Sequence, residues 1–117
     1  MYICAMKEKN QLIKGTLVTI VLKLLQDQNR MYGYEITKKV KELTKGNMEI
    51  TEGALYPTLH KLEAEGLIFS TIESIGNRPR KYYQLTQSGN LEANEKIADL
   101  FVFISDLQSI FKLKPSF

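Results

Sequence analysis

The sequence predicts a mainly helical α+β fold, in which three helices, a β-hairpin and a long last helix follow one another along 117 residues. Three observations carry this prediction. Apolar residues recur every three or four positions in the first half of the chain and again near its end, which is the spacing of a buried helix face. Between residues 67 and 86 two runs rich in β-branched and aromatic residues flank a Gly-Asn-Pro loop, which is typical of a hairpin. No internal repeat or low-complexity segment interrupts this order.

The composition is that of an ordinary globular domain, with 44% apolar and 25% charged residues. The single cysteine, Cys4, cannot form an intrachain disulfide, so a hydrophobic core must stabilise the chain. The apolar run at residues 17–25 is too short to span a bilayer, and no signal-peptide pattern precedes it. We therefore expect a cytoplasmic protein.

The first two helices are predicted from one apolar face each. An N-terminal arm at residues 1–10 precedes a helix over residues 11–27, whose inward face would consist of Ile13, Leu17, Ile20, Val21 and Leu24. A second helix over residues 33–45 would turn inward Ile36, Val40 and Leu43. Gly46-Asn47 ends this helix, because Gly and Asn are common immediately after a helix.

The third helix, TEGALYPTLHKLEAEGLI, contains two poor helix formers, a glycine and a proline. Thr51 can cap it, Gly66 ends it, and its buried face is formed by Leu55, Leu59 and Leu62. Gly53 and Pro57 share the opposite face. A proline ring collides with the carbonyl four residues earlier, and here that residue is Gly53, whose backbone adapts most easily. Such an exposed face of small groups can approach a groove closely. Taken alone, Pro57 would also be compatible with a broken helix in an unrelated α+β domain.

The hairpin and the last helix complete the predicted order. Strands LIFSTIES and KYYQLT flank the loop IGNRPR; Tyr83 and Leu85 should face the core, whereas Tyr82 can face either way. Thr86 or Ser88 caps a helix that runs to about Leu113. Helix, helix, helix and hairpin form a winged helix-turn-helix domain over residues 11–86, whose third helix enters the DNA major groove.

The charge distribution favours an anionic partner for this domain. Residues 1–86 carry 13 Lys/Arg and 9 Asp/Glu, whereas residues 87–117 carry 3 and 4. In the hairpin, Arg78, Arg80 and Lys81 are three cations within four residues, at the position where a wing touches DNA. A charged loop that only contacts solvent is the alternative interpretation. On the third helix, Tyr56, His60 and Lys61 can supply hydrogen bonds to phosphates and base edges.

Three motifs together resemble the PadR family of bacterial transcriptional regulators: YGYEI, EGALYPTLHKLEAEGLI and RPRKYYQLTQSG. The resemblance covers about residues 10–90 and implies a homodimeric winged-helix repressor of the small subfamily, which often responds to small molecules such as phenolic acids or drugs. It also places Tyr32 and Gly33 near a phosphate. The residues expected to bind double-stranded DNA are Tyr32, Gly33, Thr51, Gly53, Tyr56, Pro57, His60, Lys61, Asn77, Arg78, Arg80 and Lys81.

Residues 87–117 are expected to form a dimerisation helix, because their apolar stripe is too wide for a small domain to cover. The expected interface residues are Ile97, Leu100, Phe101, Ile104, Leu107 and Phe111. The alternative is that the helix folds back on its own domain. Any apolar or phenolic effector would bind between the two last helices or between them and the first helix, beside Leu17, Val21, Leu100, Phe101, Phe103 and Ile104. The alternative is a closed seam in a repressor that is controlled only by its own concentration.

The sequence gives no support for an enzyme, a metal site or a cofactor. One histidine and one cysteine, His60 and Cys4, are too few for the usual metal-ligand sets or a Cys/His dyad. No Gly-rich loop of the type that binds phosphates is present. The alternative function is a winged-helix module that binds proteins and not DNA, but such a module would usually lack the basic wing.

Overall fold

The computed structural model describes the backbone of residues 2–112 and the side chains of residues 9–112. The predicted mainly helical α+β architecture is confirmed. Its elements in chain order are α1 (Tyr2–Gln28), β1 (Arg30–Tyr32), α2 (Gly33–Leu43), α3 (Glu52–Ala64), β2 (Ile68–Ile75), β3 (Arg78–Leu85) and α4 (Gln87–Phe111). None of these helices combines the length and apolarity needed to cross a membrane.

Helix α1 starts earlier than the sequence pattern predicts. Residues 2–10, predicted as an arm, continue the helix from Tyr2, and Cys4 lies within its first turns. Residues 2–10 contain Ala, Met, Lys and Glu, which favour helix, and neither Gly nor Pro separates them from residue 11. At the other end Asn29 adopts a left-handed conformation, with φ 69°, and releases the chain into β1.

Strand β1 was not predicted. It adds a third strand to the hairpin, in the order β1-β3-β2, with all neighbours antiparallel. Met31 lies opposite Tyr83 in this sheet, and both side chains are buried. A strand of three residues has too little sequence to show a period, so only its pairing with β3 reveals it.

One core holds α1, α2, α3 and the sheet together. The predicted leucines of α3 are almost completely buried, at 0–1% exposure for Leu55, Leu59 and Leu62. Thr51 caps α3 as predicted, because its Oγ1 accepts a hydrogen bond from the N–H of Ala54 at 3.2 Å. The other buried apolar members of this core are Ile13, Leu17, Val21, Leu22, Leu24, Leu25, Met31, Ile36, Val40, Ile50, Ile68, Tyr83 and Ala93.

Helix α4 is divided into a docked half and a free half. Thr86 caps the helix by accepting from the N–H of Gly89 at 3.0 Å, which decides between the two predicted caps. Gly89 and Ala93 are buried, and Ile97 packs against the core. Beyond Ile97, in what we call the free half, most side chains of the helix are exposed, and the helix ends at Phe111; the predicted end at Leu113 falls outside the described residues. The first half of the helix therefore folds back on its own domain, as the alternative expects, whereas dimerisation through the rest stays a prediction.

Candidate nucleic-acid interface

Helix α3 presents the face that the sequence predicts. Gly53, Pro57, His60 and Lys61 are all exposed, on the side opposite the buried leucines. Pro57 lies in the second turn of the helix without ending it. Apart from its chain neighbours and the backbone of its own helix, no atom lies within 4 Å of the position that a Cβ on Gly53 would occupy. The exposed face of α3 therefore has a shallow surface with donor groups toward its middle.

Tyr56 connects α3 to the start of α2. Its side chain is 37% exposed, and its ring lies over Gly33, which is buried. A Cβ on Gly33 would lie 2.5 Å from the Tyr56 hydroxyl oxygen and 2.9 Å from the adjoining ring carbon. Gly33 therefore provides the space in which Tyr56 lies. Its expected contact with a phosphate stays a prediction.

The N-terminus of α2 is partly satisfied within the chain. Tyr32 is the N-cap residue, and its backbone N–H donates to the Glu35 carboxylate at 3.1 Å. A carboxylate at a helix N-terminus is stabilised by the helix dipole. One of the donors expected to bind a phosphate is thus already used, so a phosphate here would depend on the neighbouring cations as well.

The wing is a compact hairpin with a two-residue turn. Ile75 pairs with Arg78, so Gly76 and Asn77 alone form the turn. Gly76 has a φ of 66°, and a glycine with positive φ at the first position of such a turn is typical of type II′. Asn77 and Arg78 are exposed at the tip. The guanidinium of Arg80 instead lies over the ring of Tyr32, with its carbon 4.7 Å from the ring centre.

A network on the outer face of the sheet fixes the wing to β1. Arg30 makes two hydrogen bonds to the carboxylate of Glu73, at 2.5 and 3.0 Å, and its guanidinium also lies 4.3 Å from the ring centre of Tyr82. The ring of Tyr82 meets that of Tyr32 edge to face, at 5.5 Å. The hydrogen bond raises the pKa of Arg30 and lowers that of Glu73. Glu73 lies directly opposite Arg80 in the sheet, but pairs with Arg30.

This network was missed because its members are far apart in the sequence. Arg30 and Glu73 are separated by 43 positions, and neither belongs to a recognisable motif. The only sequence signal was the YGY segment that places tyrosines beside the start of α2. Tyr82, left open by the alternation of β3, is 9% exposed beneath Arg30.

Lys81 differs from the two wing arginines. Its Nζ lies 3.8 Å from Glu63 of α3, on the inner side of the wing. The other carboxylate oxygen of Glu63 accepts a hydrogen bond from Ser70 at 2.6 Å. Lys81 therefore holds the wing against α3, and a phosphate would have to compete with Glu63 for it.

The expected interface on α4 is mostly exposed. Phe101 and Phe111 are 60% and 62% exposed, and Ile104 is 37% exposed. Leu100 and Leu107 are half-buried, whereas Ile97 is occupied by contacts within its own domain. Further large apolar side chains on the free half are also more than half exposed: Val102, Phe103 and Ile110. Soluble monomers rarely leave so much contiguous apolar surface in contact with water.

An apolar cleft of about 330 Å³ lies between α1, α2 and α4. Leu100, Phe101 and Ile104, three of the residues expected beside an effector, line it, and their role in binding one stays a prediction. Leu17 and Val21 do not, because they are 3% and 0% exposed and belong to the core. Phe103 does not line the cleft either. The other walls are formed by Thr19, Ile20, Lys23, Leu24, Val40, Leu43, Thr44, Met48 and Ile97. Helix α4 thus lies beside the face of α1 that carries Thr19, Ile20 and Lys23, and not beside the predicted face with Leu17 and Val21.

The described side chains provide no grouping of three or more His, Cys, Asp or Glu that could hold a metal ion. The chemistry of the surface is instead that of cations and hydrogen-bond donors. Lys61, His60 and Arg78 point to solvent, and Tyr32 with Arg80 forms a stacked unit beside them. Such a surface can bind a phosphate backbone and place donors next to base edges.

Comparison with known proteins gives concordant matches. The model of the transcriptional regulator PadR-like family matches residues 21–95. A PadR family transcriptional regulator from Eggerthella lenta has a similar structure, with a TM-score of 0.76 and 30% identity over 95% of each chain. Bacillus subtilis PadR, solved in complex with operator DNA, gives a TM-score of 0.63 and 32% identity over 69% of this chain and 46% of that one. Transcriptional regulator Rv3488 of Mycobacterium tuberculosis is 36% identical over 67 residues, which are 57% of this chain and 60% of that protein.

Proposed function

Because the chain belongs to the PadR-like family of transcriptional regulators, we propose that it is a homodimeric repressor that binds an inverted repeat in double-stranded DNA. Its place of action is the bacterial cytoplasm, where the operator lies. The single observation that carries the proposal is the exposed face of α3, flanked by the cationic wing. Regulators of this family are not enzymes, and the proposed mechanism requires no chemical step.

In this proposal α3 enters the major groove. Its small residues allow close approach, while Tyr56, His60 and Lys61 make hydrogen bonds to base edges and phosphates. The wing cations Arg78 and Arg80 bind the backbone and orient the domain. Supporting contacts come from Tyr32, Gly33, Thr51, Gly53, Pro57, Asn77 and Lys81. The similarity to Bacillus subtilis PadR, solved with operator DNA, supports this assignment.

The exposed free half of α4 supports the proposed homodimer. A second copy of the chain would cover Leu100, Phe101, Ile104, Leu107 and Phe111. The interface would have two-fold symmetry, so that the same surface of each protomer contacts the other. Burial of such side chains contributes about 1.5–3 kcal/mol each. A dimer also suits the ligand, because two reading helices about 34–36 Å apart meet successive major grooves of an inverted repeat.

We further propose that a small apolar or phenolic effector, where one exists, binds in the cleft between α1, α2 and α4. Its volume is near the lower end of the range usual for ligand pockets. A ligand releases DNA only by binding one arrangement of the reading helices more tightly than the other. A thermal-shift screen of phenolic acids and cationic drugs tests this, with Phe101→Ala as the variant that should lose stabilisation. Equal stabilisation of both proteins would place the ligand elsewhere.

Selection of DNA fragments by the purified protein, followed by sequencing, tests the DNA proposal. We expect an inverted repeat, with affinity that falls as salt rises at a slope of about −0.9 in log units per phosphate contact. Lys61→Ala should weaken binding by about 1–3 kcal/mol if Lys61 reads a base, and it should relax preference at one position. Lys96→Ala, which removes the same charge on α4, serves as the control. A flat salt response, or no binding at low salt, would contradict the proposal.

The dimer is tested by Leu100→Asp with Phe101→Asp, which would bury unpaired charges in the interface. Sedimentation equilibrium should then report monomers, and DNA affinity should fall because two half-sites are no longer held together. Leu91→Asp is the matched control, since Leu91 is 62% exposed on the docked half of α4. A stable dimer that survives the double substitution would exclude this interface.

A further inference from the structure

The junction between α4 and the rest of the domain is built from polar contacts. The N–H of Thr86 donates to the carbonyl of Leu67 at 3.0 Å, and the Thr86 hydroxyl donates to the carbonyl of Gly66 at 2.7 Å. Gly89 packs directly against the same Leu67 carbonyl. These contacts attach the first turn of α4 to the end of α3, the DNA-reading helix of the proposed function. They anchor one point of α4 but do not define the direction in which the helix leaves.

Gln26 of α1 supplies the second point. Its Nε2 donates to the Oδ1 of Asn90 at 2.9 Å and to the Oδ1 of Asn94 at 2.8 Å. Asn90 and Asn94 are one turn apart on α4, so one amide group bridges two successive turns. A hydrogen bond weakens steeply when it bends, which makes this amide fork sensitive to the rotation and tilt of α4. On α1 the neighbours of Gln26 in the chain are fixed, because Leu22 and Leu25 are buried in the core.

The apolar contacts beneath the fork depend less on the angle of α4 than the hydrogen bonds do. Gly89 and Ala93 are the buried residues of α4, and both are small. Dispersion contacts of small side chains are individually weak and have no preferred direction. Together with Ile97, which packs against the core, they hold α4 close to the domain. The directional bonds of the fork add to this packing in setting the angle of α4.

The free half of α4 amplifies any change at this point. From Asn94 to Phe111 the helix rises about 26 Å at 1.5 Å per residue. A tilt of about 10° at the fork would move the far end by about 4–5 Å, more than the rise of about 3.4 Å that separates adjacent base pairs in a turn of 10 pairs. Since both protomers of a dimer carry this lever, the spacing of the two reading helices depends strongly on the angle of α4.

We propose that Gln26 is a positioning residue that sets the operator spacing of the dimer, through its bonds to Asn90 and Asn94. The inference rests on the proposed function, since it requires a dimer joined by α4 that binds an inverted repeat. Gln26 itself is not among the residues proposed to bind DNA. Its effect is on which distance between half-sites the protein accepts, and not on which bases it reads.

The test is a series of inverted repeats that carry the same half-sites with the central spacer shortened or lengthened by one and two base pairs. Anisotropy at fixed salt gives the wild-type preference for its best spacer. Gln26→Leu removes both hydrogen bonds at similar volume, and it should reduce that preference by about fivefold or more, or shift the best spacer. Gln26→Glu should restore the wild-type profile, because both asparagine amides can rotate and donate to the carboxylate.

Two further variants make the result decisive. Asn90→Ala with Asn94→Ala removes the fork from exposed positions of the other helix and should reproduce the effect of Gln26→Leu, even if that variant folds poorly. Gln28→Leu, at an exposed glutamine of α1 without a hydrogen bond among the described side chains, should behave as wild type.

A Gln26→Leu protein that loses affinity equally for every spacer would overturn the inference, as would an unchanged profile in the double asparagine variant. Failure of the proposed function looks different: the wild-type protein itself would then ignore the inverted repeat or remain a monomer. Either of those results would overturn the spacing role together with the function on which it rests.

Discussion

Gly89→Ala should destabilise the protein even though alanine is the better helix former. Gly89 lies in the first turn of α4, and the added Cβ would fall well inside van der Waals contact with the Leu67 carbonyl oxygen and 2.8 Å from its carbonyl carbon. These are backbone atoms that cannot rotate away. The same oxygen accepts the hydrogen bond from the N–H of Thr86, so the substitution also disturbs the start of the helix.

The magnitude is a balance of three effects. Overpacking of this kind costs about 1–3 kcal/mol, and loss of one hydrogen bond costs about 1 kcal/mol more. Replacing glycine by alanine within a helix returns about 1 kcal/mol. We therefore expect a net loss of about 1–3 kcal/mol in the free energy of unfolding. Gly15→Ala is the matched control. Gly15 is exposed within α1, and apart from its chain neighbours and the backbone of its own helix no atom lies within 4 Å of the Cβ position, so the same substitution should stabilise by about 0.5–1 kcal/mol.

Urea denaturation followed by circular dichroism measures both variants at one protein concentration, because the midpoint of a dimer depends on concentration. Opposite shifts of the midpoint are expected, toward lower urea for Gly89→Ala and toward higher urea for Gly15→Ala. If Gly89→Ala were as stable as the wild type, α4 would not lie against Leu67, and the junction from which its direction was inferred would be wrong.

Three other predictions concern the interface and the core. Gly33→Ala should displace the Tyr56 side chain and weaken DNA binding measured by anisotropy. Thermal melting should change little, since only the far end of a side chain must move. Unchanged affinity would mean that Tyr56 does not contact the DNA bases. Arg78→Ala with Arg80→Ala should make the slope of log affinity against log salt concentration shallower by about 3.6 for a dimer, because four phosphate contacts are lost, and should leave sequence preference intact. An unchanged slope would mean that the wing is not part of the interface. Burial raises the pKa of Tyr83, so the contribution of its protonated side chain to the free energy of unfolding is complete below about pH 10 and is lost as the pH rises through the folded-state pKa. Urea midpoints of Tyr83→Phe should therefore fall less steeply above that pH than those of the wild type, and parallel curves would contradict this.

Short-range rules predicted much of this fold. The cap at Thr51 and the buried leucines of α3 depend on residues three or four positions apart, and the structure reproduces them. The hairpin could be read from one turn and two strands. The exposed face that carries Tyr56 and Lys61 followed from the same helical spacing, because a buried face fixes its opposite.

What the sequence could not predict depends on how distant segments pair. Strand β1 exists only through its register with β3, and the bond between Arg30 and Glu73 needs that register as well. The division of α4 likewise follows from the position where α1 lies beneath it, so the apolar stripe alone could not tell the docked half from the free one. For the same reason Leu17 and Val21 were assigned to an effector cleft, although they belong to the core.

The polar contacts outside the core contribute geometry more than stability. Exposed ion pairs such as that of Arg30 and Glu73 contribute little to stability because solvent screens them, and each hydrogen bond of Gln26 contributes only about 1 kcal/mol. The buried leucines contribute several times as much each. Yet a leucine can be exchanged for another apolar residue of similar volume without moving the wing or α4, whereas the loss of a directional bond frees an angle. Substitutions that alter how this protein reads DNA, while leaving it folded, should therefore concentrate in these exposed polar contacts and not in its core.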